Sequence, residues 1–314
     1  MAADSVRFPV ARLTLAMSIF GTIGVFSNNA GLDAVTTMFW RCLFASGFLG
    51  VWCLLRGYLP DRTLTRAGLA RAALGGVCNM LSGALYIAAF ATVSIGTATI
   101  VYHVAPFFVV LLGVVFLKER VTPTQIVWMI GAFFGIALAS GLISVGDALQ
   151  PGWMLGIGAA LGAGLLYAIA TILTKDLGHQ RAEVTTLCQT IVGIALMAPF
   201  ADFAAPMSAA GWGWIAGLGI IHTGIAYVLM YSAYPALSTP VIGVLSFVYP
   251  LVALLADWAL YDGPLGFPQL AGLLLVTLGT LGVRLGWGLP WPRRLGRHAA
   301  RSCLPKGAVR QPSP

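Results

Sequence analysis

The stretch GTATIVYHVAPFFVVLLGVVFLKER, residues 96–120, runs without a charge from Gly96 to Leu117 and then closes on Lys118-Glu119-Arg120. About 20 apolar residues in a helix cross the hydrocarbon layer of a bilayer, so this run has the length of a membrane span. A helix is required there, because lipid offers no partner to an unpaired backbone N–H or C=O. No ten-residue alternating pattern of the kind a membrane barrel needs is present. Reading outward from this stretch divides the chain into ten such runs, near 12–28, 34–55, 68–91, 96–117, 124–143, 153–174, 184–204, 210–232, 237–260 and 265–284. Charges or turn formers mark the divisions, among them Asn28-Asn29, Gly57, Gly146-Asp147 and Gly178. The composition agrees: of 314 residues, 59% are hydrophobic and 9% charged. Soluble domains carry roughly 25% charged residues, so this chain cannot cover a globular surface. A soluble enzyme is excluded.

The basic residues test the division. Arg7 and Arg12 precede the first span. Arg56, Arg62, Arg66 and Arg71 fill the second gap, Lys118 and Arg120 the fourth, Lys175 and Arg181 the sixth. Arg284, Arg293, Arg294, Arg297, Arg301, Lys306 and Arg310 follow the last span. Every Lys and Arg except Arg41 thus falls on one side, while the odd gaps hold acids such as Asp33, Asp147, Asp202 and Asp262. The positive-inside bias then places both termini in the cytoplasm of a multi-pass protein of a bacterial inner membrane. The opening MAADSVRFPVAR leads into an apolar run with no clear small-residue cleavage site, so a retained first span is expected rather than a removed signal peptide.

Net charge is +8, yet the basic residues are dispersed over several loops, which is no nucleic-acid footprint. Cys42, Cys53, Cys78, Cys188 and Cys303 show no metal-ligand spacing, so no metal or cofactor is expected. Residues 288–314 read as a basic cytoplasmic tail attracted weakly to membrane lipid.

The two halves repeat. Val35-Thr36-Thr37-Met38 opens the second span and Val184-Thr185-Thr186-Leu187 the seventh. His103-Val104-Ala105-Pro106 corresponds to Phe247-Val248-Tyr249-Pro250 in the ninth, and Gln125 to Gln269. A unit of five spans is odd in number, so its second copy enters the membrane upside down. The expected architecture is an all-α integral membrane protein of two inverted five-helix repeats, residues 10–145 and 152–287. Secondary transporters are commonly built this way, with a site near the midplane between the halves.

Three local patterns resemble the drug/metabolite transporter superfamily, in its ten-span, five-plus-five branch. They are TTMFWRCLFASGFL at 36–49, the stretch from Pro106 through Leu117-Lys118-Glu119-Arg120-Val121 to Gly131 and Gly135, and its repeat from Pro250 to Leu260-Tyr261-Asp262. The resemblance covers about residues 10–287 and is nearest to exporters of aromatic and other hydrophobic amino acids. Two positions depart from it: Asp262-Gly263 stands where a Glu usually repeats, and Thr190 stands at the point equivalent to Arg41. The resemblance implies a central cavity enclosed by the first, third, fourth, sixth, eighth and ninth spans.

Polar groups inside spans are expensive and need a partner or a purpose. Helical spacing puts Asn79, Ser82 and Tyr86 on one face of the third span. It puts Thr223, Tyr227 and Tyr231 on one face of the eighth, with His222 one step around. The fourth span carries Thr99, Tyr102 and His103, the sixth Tyr167, the ninth Ser246 and Tyr249. Together with the resemblance, these are the expected passage-lining residues. Rings give an apolar wall and cation–π contact for an ammonium group, and hydroxyls, Asn79 and imidazoles can bind a carboxylate. Single tyrosines in spans also serve as interface anchors or interhelical bonds. Arg41 either snorkels to the headgroups or attracts a carboxylate or acts as a gate. Pro106 and Pro250 are candidate hinges, since each removes a backbone donor and loosens the turn before it. Gly131-x-x-x-Gly135 and Gly158-x-x-x-Gly162 read as close helix–helix contacts.

The expected function is export of aromatic and other hydrophobic amino acids, or similar small metabolites, by alternating access. A monomer is the expected unit. A nucleotide sugar would want several cavity cations and a cationic drug a deep carboxylate; neither set is evident. An intramembrane enzyme or a channel is disfavoured, for want of catalytic motifs or a filter.

Overall fold

The computed structural model describes residues 2–59, 61, 64–140, 152–261 and 266–288. The turn at Gly146-Asp147, the Asp262-Gly263 pair and the tail from residue 289, with Cys303, lie outside the described residues. Among the described residues the secondary structure is helical, and nine helices are long and apolar enough to span a membrane: α1 (Phe8–Ala30), α2 (Ala34–Leu55), α3 (Arg66–Ala89), α4 (Gly96–Phe116), α6 (Trp153–Asp176), α7 (Ala182–Phe200), α8 (Ala209–Ala236), α9 (Thr239–Tyr261) and α10 (Phe267–Leu285). Between α4 and α6 lies α5 (Pro123–Ala139), a shorter apolar helix of 17 residues. At 1.5 Å per residue it is about 25 Å long, just under the hydrocarbon thickness.

Side-chain caps set several helix starts. The Asp33 carboxylate accepts from the Val35 and Thr36 amides, Thr65 from Gly68, Thr122 from Gln125 and Ser208 from Gly211. Burial alone would raise the Asp33 carboxyl, but hydrogen bonds from Thr36 and Val35 outweigh it and hold the group below its ordinary value. Gln125 and Gln269 do the same work at α5 and α10, each folding its side chain back onto a backbone N–H three residues earlier. Helices extend beyond the sequence-based limits at several ends. Arg66, Lys175 and Arg284, expected in loops, sit in terminal turns instead, and Arg12 and Arg71 lie further inside their helices.

Four of these helices are interrupted, the first being α1, at Thr22. α4 breaks at His103-Val104, just before Pro106, and α9 breaks at Phe247, just before Pro250. Both follow from proline's missing donor and its clash with the preceding turn. α8 contains no interior proline before its last turn, yet Leu218–Ile225 is π-helical.

The helices pair across the chain. α5 packs on α10, α2 on α7, α4 on α9, α3 on α6 and α1 on α8; α3 also touches α7, and α8 touches α2. Exchanging helices one to five with six to ten leaves this pattern unchanged. Glycine permits the closest approaches. A Cβ on Gly279 would lie 2.7 Å from the Trp128 carbonyl, and one on Gly135 2.7 Å from that of Gly272. The expected glycine contacts are corrected in part: Gly131 and Gly158 face open space, and α6 packs through Gly156 and Gly164 instead.

Candidate functional site

A cavity of about 330 Å³ lies between the halves. Its floor is at mid-depth, around the two proline-associated breaks. The His103 ring stacks on Tyr249 at 6.1 Å and on Phe247 at 6.4 Å, so the interrupted turns of α4 and α9 face one another. The His103 Nδ1 pairs with the Thr99 carbonyl at 2.7 Å, a carbonyl left near the break. From there the cavity runs to the bundle end that carries Ser27 and Ala34.

Of the expected passage residues, Asn79, Ser82, Tyr86, Tyr102, His103, Tyr167, Tyr227, Ser246 and Tyr249 line this cavity, as do Arg41 and Pro106. The other four lie behind the wall. Thr99 bonds the Tyr86 hydroxyl at 2.8 Å. His222 is buried and its Nε2 pairs with Thr22 Oγ1 at 2.9 Å. Thr223 accepts the Arg41 Nε–H at 2.9 Å. Tyr231 donates to Gln189 Oε1 at 2.6 Å, and Gln189 donates to Thr174 at 3.1 Å. Pro250 is likewise not part of the lining. Of these residues, His222 and Thr223 lie in the π-helical turns of α8, where ordinary helical spacing does not hold. Even some lining hydroxyls are committed elsewhere, as Ser82 donates to the Ala163 carbonyl at 2.7 Å.

Several lining residues carried no sequence signal. Met17, Met38, Met80 and Met230 contribute flexible, polarizable surface, and Phe20, Ile23, Ser27 and Thr37 complete the wall from α1 and α2. α2 thus joins the six helices that the family resemblance implied. Thr190, at the point equivalent to Arg41, is buried in the α2–α7 seam and accepts from Ser46 at 2.8 Å.

The opposite end of the bundle is closed. Tyr234 and Phe247 have no exposed surface, and Tyr234 packs with Val10, Leu13 and Leu237. Below them Lys175 Nζ meets Glu119 Oε1 at 3.2 Å and donates to the Tyr234 carbonyl at 2.9 Å and to that of Leu237. Glu119 Oε2 accepts from the Thr239 amide at 2.7 Å and its hydroxyl at 2.8 Å. A smaller polar cavity of about 230 Å³, lined by Thr174, Gln180 and Thr185 among others, also touches Tyr231. The Asn79 amide lies 3.5 Å from the Tyr231 hydroxyl, so one layer of side chains separates the two spaces.

Among the described residues no group of three His, Cys, Asp or Glu is arranged to hold a metal ion. The cavity has the size and the mixed apolar and polar lining to enclose a small molecule.

Comparison with known proteins agrees. The EamA-like transporter family profile matches twice, at residues 9–141 and 154–285. An uncharacterized transporter, YxxF, from Bacillus subtilis is 32% identical, covering 92% of this chain and 91% of its own. The pseudopaline exporter CntI of Pseudomonas aeruginosa is 25% identical over 79% of this chain and 86% of its own. A riboflavin transporter of Rhizobium johnstonii is 29% identical over 84% and 87%. A solved crystal structure superposes with a TM-score of 0.77 at 16% identity, covering 88% of this chain and 97% of that one, which shows the shared fold. None of these relatives singles out the aromatic amino-acid branch. With its apolar helices and two profile matches spanning most of the sequence, the chain is a multi-pass membrane protein and belongs to the EamA-like transporter family.

Proposed function

We propose that this transporter exports aromatic and other hydrophobic amino acids across a bacterial inner membrane by alternating access. In this reading residues 10–145 and 152–287 are inverted five-helix repeats with α5 as a tenth span, and both termini are cytoplasmic. The exchange-invariant helix pairing and the odd number of helices per half support the inverted arrangement. The basic helix ends support the orientation: Arg56, Lys118, Lys175 and Arg284 lie at one end, Asp33 and Asp202 at the other.

The observation that carries the substrate reading is the cavity wall. Tyr86, Tyr102, Tyr167, Tyr227 and Tyr249 present rings and hydroxyls around a space of amino-acid size. Rings accept an apolar side chain and an ammonium group, and Asn79 with the hydroxyls can take a carboxylate. Rocking of the halves about the breaks at His103 and Phe247, with Pro106 and Pro250 as hinges, would open the closed end. Arg41 sits where a gate on the open side would act.

Proteoliposomes loaded with labelled phenylalanine, leucine or alanine, with and without a proton gradient, test the reading. Efflux of the first two above protein-free vesicles is the expected result, and absence of amino-acid flux would overturn it. In cells, expression should protect against toxic aromatic analogues; increased sensitivity would reverse the assigned direction. A second reading, transport of another aromatic or carboxylate-bearing metabolite, is favoured by the exporter and riboflavin-transporter relatives. The same vesicles loaded with riboflavin distinguish it.

A further inference from the structure

Among the described residues that line the central cavity, Arg41 alone carries a formal charge. Its Nε–H donates to Thr223 Oγ1 at 2.9 Å, and Thr223 donates to the Leu218 carbonyl at 3.3 Å. That second bond spans five residues because Leu218–Ile225 is π-helical. The approach is close, since a Cβ on Gly219 would lie 2.8 Å from the Arg41 carbonyl. The guanidinium is therefore held by its inner nitrogen. Its two terminal amino groups have no hydrogen-bond or ion-pair partner among the described residues. An uncompensated charge within a span is expensive, so a partly buried guanidinium aimed into a cavity calls for an anion.

We propose that Arg41 anchors a substrate carboxylate, and that the cavity selects aromatic carboxylates whether or not they carry an amine. The proposal rests on this cavity being the passage, but not on the substrate being an amino acid. Two free guanidinium nitrogens match the two oxygens of one carboxylate in a planar, bidentate pair. A phosphate dianion would want a second cation, and the lining offers none. No Asp or Glu is among the described residues that line the cavity, so there an ammonium group meets ring faces and hydroxyls. An amine without a carboxylate faces a like charge at Arg41 and is disfavoured. The Asn79 and hydroxyl groups assigned to the carboxylate above then orient the rest of the molecule.

The test uses three probes sharing a phenyl ring: hydrocinnamate, phenylalanine and phenethylamine. Their binding to the full chain in lipid nanodiscs is measured by titration calorimetry. Hydrocinnamate and phenylalanine should bind about tenfold or more tightly than phenethylamine, the step expected from a charged hydrogen bond. Arg41→Gln should erase that difference without weakening phenethylamine, and Arg41→Lys should restore part of it. Phenethylamine binding as tightly as hydrocinnamate to the unaltered protein overturns the proposal, and so does an unchanged ranking in Arg41→Gln. The ranking on the unaltered protein decides the matter even if the variant does not fold. Binding of hydrocinnamate without phenylalanine keeps the Arg41 anchor but overturns both the amine-independent selection and the amino-acid reading.

Discussion

Asn79 lies 3.5 Å from both the Tyr227 and Tyr231 hydroxyls, but the Tyr231 hydroxyl donates to Gln189, whereas Tyr227, one helical turn away, lines the cavity and packs edge to face with Phe20 at 5.2 Å. Their substitutions should therefore separate. Tyr231→Phe leaves the buried Gln189 oxygen without its donor, a loss of about 1–3 kcal/mol that thermal unfolding in detergent would register. Tyr227→Ala and Tyr86→Ala should instead slow flux of aromatic substrates more than of small aliphatic ones. Each ring supplies contacts of about 0.5–2 kcal/mol to a ring and little to a methyl group. Unchanged relative rates in well-folded alanine variants would reduce these tyrosines to packing. Sequence spacing made the two tyrosines equivalent, because residues four apart share a helix face. What separates them is Gln189, a partner 42 residues away that no local period encodes. The four lining methionines were illegible for a related reason: in a chain this apolar, a cavity-facing Met reads like a lipid-facing one.

At the scale of the element, the turn joining α8 to α9 is held from both sides. Lys175, at the end of α6, donates to the carbonyls of Tyr234 and Leu237 where α8 ends and the turn begins. Glu119, just past α4, caps the first amide of α9 and its Thr239 hydroxyl. The φ of +57° at Lys118 is the left-handed turn that follows α4 and brings Glu119 to this position. The two side chains are 9% and 19% exposed, so removing either charge strands the other with little water. Glu119→Gln or Lys175→Met alone should cost about 3 kcal/mol or more, and the double variant less than the sum. A double-mutant cycle by thermal unfolding measures this, and strict additivity would show that the pair is not coupled. The same bonds hold the closed end, so the single variants should also raise leak of a small solute from vesicles. The breaks in α4 and α9 were legible, since Pro106 and Pro250 name them. The π-helical turns of α8 were not. His222 and Thr223 mark Leu218–Ile225 as polar, but no local pattern names a π-helix, and their partners Thr22 and Arg41 lie on other helices.

For the whole molecule, the division into helices and the correspondence of halves were readable from apolar length, charge placement and paired motifs. All of these are local or strictly periodic. The side on which the cavity opens was not, since it depends on how ten helices lean together. Charge placement and cavity now combine into one prediction. Arg56, Arg71, Lys118, Lys175 and Arg181 mark one end, and the Glu119–Lys175 cluster closes it; Asp33 and Asp202 mark the other, toward which the cavity runs through Ser27 and Ala34. If the basic end is cytoplasmic, this conformation faces outward. Cys42, Cys53 and Cys78 are buried, so a background with Cys188 and Cys303 replaced should be silent to an impermeant thiol reagent. In that background Ala204→Cys, in the exposed α7–α8 turn, should react in intact cells. His179→Cys, in the exposed α6–α7 turn, should react only after the membrane is opened. Ser27→Cys tests the cavity itself: it should react from outside and react more slowly when hydrocinnamate or phenylalanine occupies the passage. Labelling of His179→Cys in intact cells would reverse the orientation. Outside-inaccessible Ser27→Cys beside a reactive Ala204→Cys would keep the orientation and place the resting protein in an inward-facing state, with the Glu119–Lys175 bonds broken.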